Sequence, residues 1–150
     1  MTKQEALKKI EELKNYVADL DKKSKIQIKD RSGNILFESD KETVKEAVEE
    51  AINENANLTD ANLTNADLSD AYLINANLTN ANLINANLTN AYLGNANLSD
   101  ADLSDAYLGN ADLTDADLYH TRFYGKGGST KINNNQVSDF LKALGVVVGD

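Results

Sequence analysis

The chain has 150 residues and a net charge of −9, with no Cys, Pro or Trp. The missing Cys excludes disulfides and thiolate metal sites, and the acidic balance argues against nucleic acid as a direct partner. No apolar run approaches the roughly 18 residues of a membrane span, and the charged start MTKQEALKKIEELKN lacks an apolar signal core, so the expected location is the cytoplasm, with no membrane partner.

The charge is unevenly placed. Residues 1–55 carry 11 Lys/Arg and 13 Asp/Glu, residues 56–120 carry nine Asp and no Lys, Arg or Glu, and residues 121–150 carry four basic and two acidic groups. The expected division is an N-terminal helix, β-hairpin and capping helix over 1–55, a repeat region over 56–125, and a linker with a capping helix over 126–150.

Residues 2–20 read as an amphipathic helix with Leu7, Ile10, Leu13, Val17 and Leu20 in one stripe. The spacings of 3, 3, 4 and 3 also fit a short coiled-coil seam. KIQIKDRSGNILFES reads as a β-hairpin: Ile26 and Ile28 alternate with polar residues, RSGN supplies the turn, and Ile35, Leu36 and Phe37 follow. SDKETVKEAVEEAIN reads as a second helix. Ser39 followed three later by Glu42 gives a capping-box signature, and Val44, Ala47, Val48, Ala51 and Ile52 form the stripe expected to be buried.

From Ala56 to His120 the chain is 13 consecutive pentapeptides without a gap. Ala opens each, Leu is third, and Asn, Asp or Tyr is second. The fourth is mostly Thr, Ser, Ile or Gly, and the fifth is Asn or Asp until His120. A degenerate unit, TRFYG, follows with Thr121 and Phe123 at the corresponding positions. A period of five gives neither a helix face nor a strand face. Within one unit, however, Ala and Leu lie two apart, so a short extended segment points both the same way. The last two positions, rich in Asn, Asp, Ser and Gly, must then turn the chain. A chain that turns the same way after each short segment coils around an Ala/Leu core, and successive coils can pair as parallel strands do. Corners of about 90° would put four units in a coil, so that Tyr72 and Tyr92 stack while Tyr107 lies on another face.

ANLTNANLINANLTN, residues 76–90, and its neighbours resemble the pentapeptide-repeat family, whose pattern is A-(D/N)-L-x-x. The resemblance covers about 65 of the 150 residues. It implies an all-β solenoid core, a right-handed quadrilateral β-helix with four repeats per coil, flanked here by α/β capping segments. It further implies a core ladder of Leu58, Leu63, Leu68, Leu73, Leu78, Leu83, Leu88, Leu93, Leu98, Leu103, Leu108, Leu113, Leu118 and Phe123, with Ala at the tighter inward site.

After the repeats, GKGGST reads as a link. NNNQVSDFLKALG reads as a third helix with Asn133–Asn135 at its start and Gly145 as its stop, and Val146–Val148 as a further strand. The bland role for 40–55 and 126–148 is to cover the open ends of the solenoid. A homodimer through the terminal helices or the C-terminal Val run is also expected.

No catalytic constellation is expected. His120 is the single His and has no Cys to pair with. Asp100 with Asp102, and Asp112 with Asp115, belong to a surface that interchanges Asn and Asp freely. GKGGST has the letters of a phosphate loop in the wrong order, and the Asp-Gly loops of calcium sites are absent. The sequons at Asn57, Asn62, Asn77, Asn87 and Asn97 follow from the repeat itself. The rows of Asn and Thr are read as a solvated face rather than an ice-binding one. The sequence therefore calls for no cofactor and no metal.

The acidic surface is the sharper lead. Some members of the resembled family are DNA mimics that bind gyrase and related type II topoisomerases. Thirteen units make about 3.25 coils, or roughly 16 Å at about 4.8 Å per coil, and DNA of that length carries about nine charges, against nine Asp here. The candidate surface comprises Asp60, Asp100, Asp102, Asp105, Asp112 and Asp115. Counted in fours from Ala56, the nine Asp fall on all four faces, whereas a mimic should concentrate them. The expected function is a non-enzymatic structural or protein-interaction module with a protein partner; the alternative is a DNA mimic acting on gyrase.

Overall fold

The computed structural model describes residues 1–20 and 25–123. The expected link, third helix and Val strand after residue 123 lie outside the described residues. Among the described residues, four regular elements precede the repeats: α1 (Lys3–Leu20), β1 (Ile26–Lys29), β2 (Ile35–Ser39) and α2 (Val44–Asn53).

Helix α1 starts at a reciprocal cap. The Thr2 hydroxyl accepts the Glu5 N–H at 3.2 Å, and the Glu5 carboxylate accepts the Thr2 N–H at 2.6 Å. Strands β1 and β2 pair antiparallel, Ile26 with Ser39 and Ile28 with Phe37, with a bulge between Ile28 and Lys29. Asp30 closes the turn by accepting the N–H groups of Ser32 at 2.8 Å and Asn34 at 2.9 Å, while Gly33 takes the positive φ of 91°. The Asn34 amide, at 2.7 Å, is the main reason the Asp30 carboxyl sits below the ordinary range.

The cap of α2 differs from expectation. Thr43, not Ser39, is the N-cap: its hydroxyl accepts the Glu46 N–H at 3.2 Å, and Glu46 accepts the Thr43 N–H at 3.1 Å. Ser39 is held elsewhere, as the last residue of β2 and as a donor to the Glu50 carboxylate at 2.5 Å. Starting at Val44 also leaves that residue in the first turn, 39% exposed rather than buried. Ala47, Val48 and Ala51 are buried, and Ile52 is partly so.

From residue 56 the chain stacks in layers of 20 residues. The second positions pair in parallel with those 20 residues on: Asn62 with Asn82, Tyr72 with Tyr92, Asn82 with Asp102, and so to Asp102 with Arg122. Each extended piece is one bridge long, so the repeats give a β-solenoid without strands of ordinary length. The ladder is regular. The Asn82 N–H donates to the Ala61 carbonyl of the preceding layer at 2.8 Å, and the Leu63 N–H to the Asn82 carbonyl of the following layer at 2.8 Å. Within a unit, the next Ala N–H returns to the Leu carbonyl, as Ala86 does to Leu83 at 3.0 Å. The residue before that Ala has positive φ in every described unit, from Asn55 at 56° through Asn85 at 57° to His120 at 55°. A four-residue turn with positive φ at its third position favours Gly, Asn or Asp there, which accounts for the fifth-position Asn/Asp; His120 takes the same conformation in the last unit.

The inward residues make one core. Every Leu of the ladder is buried, as is Phe123, and so are the Ala residues except Ala56 and Ala66, which are partly buried. Burying one such Leu contributes roughly 2–3 kcal/mol. Thr121 stands at an Ala position with its hydroxyl donating to the Leu98 carbonyl at 2.7 Å, which satisfies a buried polar group.

The hairpin and α2 join the first layer. Ile28, Ala47, Val48 and Ala51 share the core with the first Leu residues. The Asn62 N–H, which has no earlier coil to meet, donates to the Lys29 carbonyl at 2.7 Å. The Tyr72 N–H likewise finds the Glu49 carboxylate at 2.8 Å. The N-terminal edge of the solenoid is thereby partly satisfied by hairpin and helix rather than left open.

Candidate functional surface

The outward side chains form a lattice of local hydrogen bonds. Where the second residue is Asn or Asp, its Oδ1 accepts the N–H of the fourth residue, as in Asn77 with Thr79 at 3.3 Å and Asp102 with Ser104 at 3.0 Å. A fourth-position hydroxyl donates to the same oxygen, at 2.7 Å for Thr79 and 2.6 Å for Thr114 on Asp112. This is the Asx turn, and it stiffens each face. Units with Tyr in second place offer no such oxygen, and their fourth residues are Ile74, Gly94 and Gly109 instead of Ser or Thr.

The six candidate Asp residues are not gathered. Asp60, Asn80, Asp100 and His120 make one column of fifth positions: Asn80 Nδ2 donates to Asp60, and His120 Nδ1 lies 3.3 Å from Asp100 Oδ1. Asp102 is on the next face, above Arg122, whose Nη1 lies 3.3 Å from its carboxylate. Asp105 follows in the layer after Asn85, and Asp115 in the layer after Asn95. Asp112 pairs with Tyr92 on the fourth face.

Within the repeats, the carboxyls of Asp67 and Asp102 are held below the ordinary range. Partial burial works to raise Asp102, but the Ser104 hydroxyl and N–H, with the Arg122 guanidinium, outweigh it. The Ser69 hydroxyl is the largest cause at Asp67, followed by the Ser69 N–H, with Asn87 and Lys45 adding to it. Both stay ionised at neutral pH, which suits a charged surface and not a proton-transfer site. Among the described residues, no three His, Cys, Asp or Glu side chains are grouped to hold a metal ion, and no helix is long and apolar enough to cross a membrane.

A second surface feature is aromatic. Tyr72 and Tyr92 stack on the fourth face with ring centroids 5.0 Å apart and planes 6° from parallel. They and Ile74 are 63%, 43% and 45% exposed. The 20-residue spacing of the Tyr pair is visible in the sequence; the part of Ile74 becomes visible only when the fourth position of a Tyr unit is seen to lack an oxygen to bond. Arg122 as the counterion of Asp102 requires the coil length to be known.

The family model for pentapeptide repeats matches residues 56–95 and 91–125, in eight copies. Among solved structures, the chain is similar to a pentapeptide repeat protein from the cyanobacterium Cyanothece 51142, at 42% identity over 53% of this chain and 58% of that one, with a TM-score of 0.31. It is also similar to a pentapeptide repeat protein from Nostoc Pcc 7120, at 30% identity over 68% of this chain and 93% of that one, with a TM-score of 0.29. The chain thus spans little more than half the length of the first of these proteins. No curated protein matches the chain.

Proposed function

The chain belongs to the pentapeptide-repeat family, and from that premise we propose that it is a non-enzymatic protein-interaction module whose docking surface is the fourth face of a right-handed quadrilateral β-helix. The observation that carries this reading is the exposed, stacked pair Tyr72 and Tyr92, with Ile74 exposed in the same unit as Tyr72. Aromatic side chains fixed on a rigid surface supply contact area at low entropic cost, and Tyr is enriched where interfaces concentrate their energy. The Asx turn of Asp112 and Thr114 in the next layer of the same face supports this reading, because it fixes the backbone beside the pair before any partner arrives.

The alternative is DNA mimicry directed at gyrase. Its support is the linear charge density of the repeats. Against it, Asp102 sits beside Arg122 and Asp100 beside His120, and the six candidate carboxylates are divided among faces.

The test is affinity capture from a cell lysate with the wild-type chain, a Tyr72→Ser/Ile74→Thr/Tyr92→Ser variant and an Asp100→Asn/Asp102→Asn/Asp105→Asn variant. The expected result is a protein held by the wild type and the Asp variant but lost by the Tyr/Ile variant. Loss with the Asp variant alone would transfer the interaction to the acidic surface.

A further inference from the structure

We propose that α1 pairs antiparallel with α1 of a second copy of this chain. The helix shows its apolar stripe to solvent: Leu7, Ile10, Leu13 and Val17 are 56%, 49%, 56% and 51% exposed. At 18 residues the helix is only a little longer than the roughly 12–15 below which an isolated helix is marginal, so packing of its apolar face has to supply much of its stability. The spacing of the stripe says what kind of object covers it. Lys3, Ile10 and Val17 fall at a positions and Ala6, Leu13 and Leu20 at d positions of a heptad, the 3-4 alternation by which one helix packs along another.

Charge and size choose a second copy and its direction. In a parallel pair, Lys3 would face the partner's Lys3 in the seam, and Lys9 at g would face the partner's Lys14 at e, in two symmetric repulsive contacts. Reversing one helix removes all of these. With the two helices in full overlap, from Lys3 against the partner's Leu20 to Leu20 against the partner's Lys3, every a residue meets a d residue. Ile10 meets Leu13, small Ala6 meets Val17, Lys9 lies beside Tyr16, and Lys14 lies beside Leu7, whose apolar surface its stem can cover. The helix bounds and the heptad positions share one centre, so nothing in the stripe is left over. The last turn of α1 carries no basic residue of its own. The antiparallel partner brings Lys3 to that turn, where the helix dipole favours a cation.

The experiment uses the full chain. Sedimentation velocity is run up to about 500 μM, enough to populate a dimer with a dissociation constant in the roughly 100 μM range. The wild type is expected to pass from a 16.3 kDa species to a dimer, and Leu13→Asp to raise the dissociation constant by about 100-fold or more. Because the chain has no Cys, direction is read by cross-linking. A mixture of Lys3→Cys and Leu20→Cys chains is expected to form the mixed disulfide, because like ends lie about 25 Å apart in an antiparallel pair. A monomer throughout, a dimer indifferent to Leu13→Asp, or Lys3→Cys chains that join only one another would each overturn the proposal.

Discussion

Tyr72 and Tyr92, 20 residues apart in sequence, stack with ring centroids 5.0 Å apart because each stands at the second position of the same face in successive layers. The parallel bridge beneath them fixes the separation of the rings, so the stack is a direct readout of four repeats per coil. Replacing either Tyr by Ala is expected to cost on the order of 1 kcal/mol, and a double-mutant cycle to show about 0.5–1 kcal/mol of coupling. Urea midpoints of the four proteins measure it; additive losses would mean that the rings do not support one another in solution.

The inward ladder should be far less forgiving. Leu88 is fully buried in a middle layer with core residues above and below, so its cavity cannot collapse, and Leu88→Ala is expected to lose about 3–5 kcal/mol. Asn77→Asp keeps the oxygen that accepts the Thr79 N–H, gives up only the long, exposed 3.4 Å bond from its Nδ2 to Asn57, and should shift the midpoint by less than about 0.5 kcal/mol. Equal losses from the two would contradict the inward and outward assignment.

Asn85 tests the turn. Its φ of 57° costs a side-chain-bearing residue about 1 kcal/mol unless a short polar group compensates. Asn85→Ala is therefore expected to be less stable than Asn85→Gly by about 1 kcal/mol, although Ala is favoured over Gly in most backbone settings. Thermal denaturation of the pair gives the sign.

How much of this was legible follows the period of the repeat. Five-residue units with two apolar residues two apart leave one way to bury both, so the inward set from Leu58 to Phe123 could be named from sequence alone. The start of α2 could not. Ser39 with Glu42 and Thr43 with Glu46 both satisfy the capping-box pattern, and what decides between them is non-local: Ser39 is drawn into β2 by its pairing with Ile26. The contacts of Asp102 with Arg122 and of Asp100 with His120 also join residues 20 apart. They become visible only once the length of a coil is fixed, which Tyr72 and Tyr92 suggest but Tyr107 does not repeat.

Asp67 and Asp102, like Asp30 and Glu46 outside the repeats, contribute to an acid limit. Their folded-state carboxyls lie below the ordinary Asp value of 3.8, so the unfolded chain binds more protons in that window. Their contribution is complete above about pH 4 to 5 and is lost as the pH falls through the lowered folded values. The urea midpoint is expected to drop as the pH falls from about 5 through and below the ordinary Asp value, and to drop less in an Asp67→Asn/Asp102→Asn variant, which keeps the acceptor oxygens for Ser69 and Ser104 but has no proton to take up. An unchanged slope in the variant would assign the acid sensitivity to other groups.

The choice between interaction module and DNA mimic can be forced with purified gyrase. A mimic binds by charge, so its inhibition of supercoiling must weaken steeply with salt. It must also vanish when Asp100, Asp102 and Asp105 become Asn. That variant should keep its fold, because Asn occupies the equivalent positions in other units: Asn80 in the column of Asp100, Asn82 in that of Asp102, and Asn85 in that of Asp105. His120 and Asp100 are both exposed, and an exposed pair of this kind is worth little; Arg122 is itself exposed and returns to water, and Asn in place of the half-buried Asp102 leaves no charge behind. The expected outcome is normal supercoiling in the presence of the wild-type chain at every salt concentration, because the Asp residues are divided among four faces and a DNA-binding saddle can meet at most two of them at once. Sub-micromolar inhibition that disappeared in the triple variant would reverse the assignment and make the acidic surface the functional one.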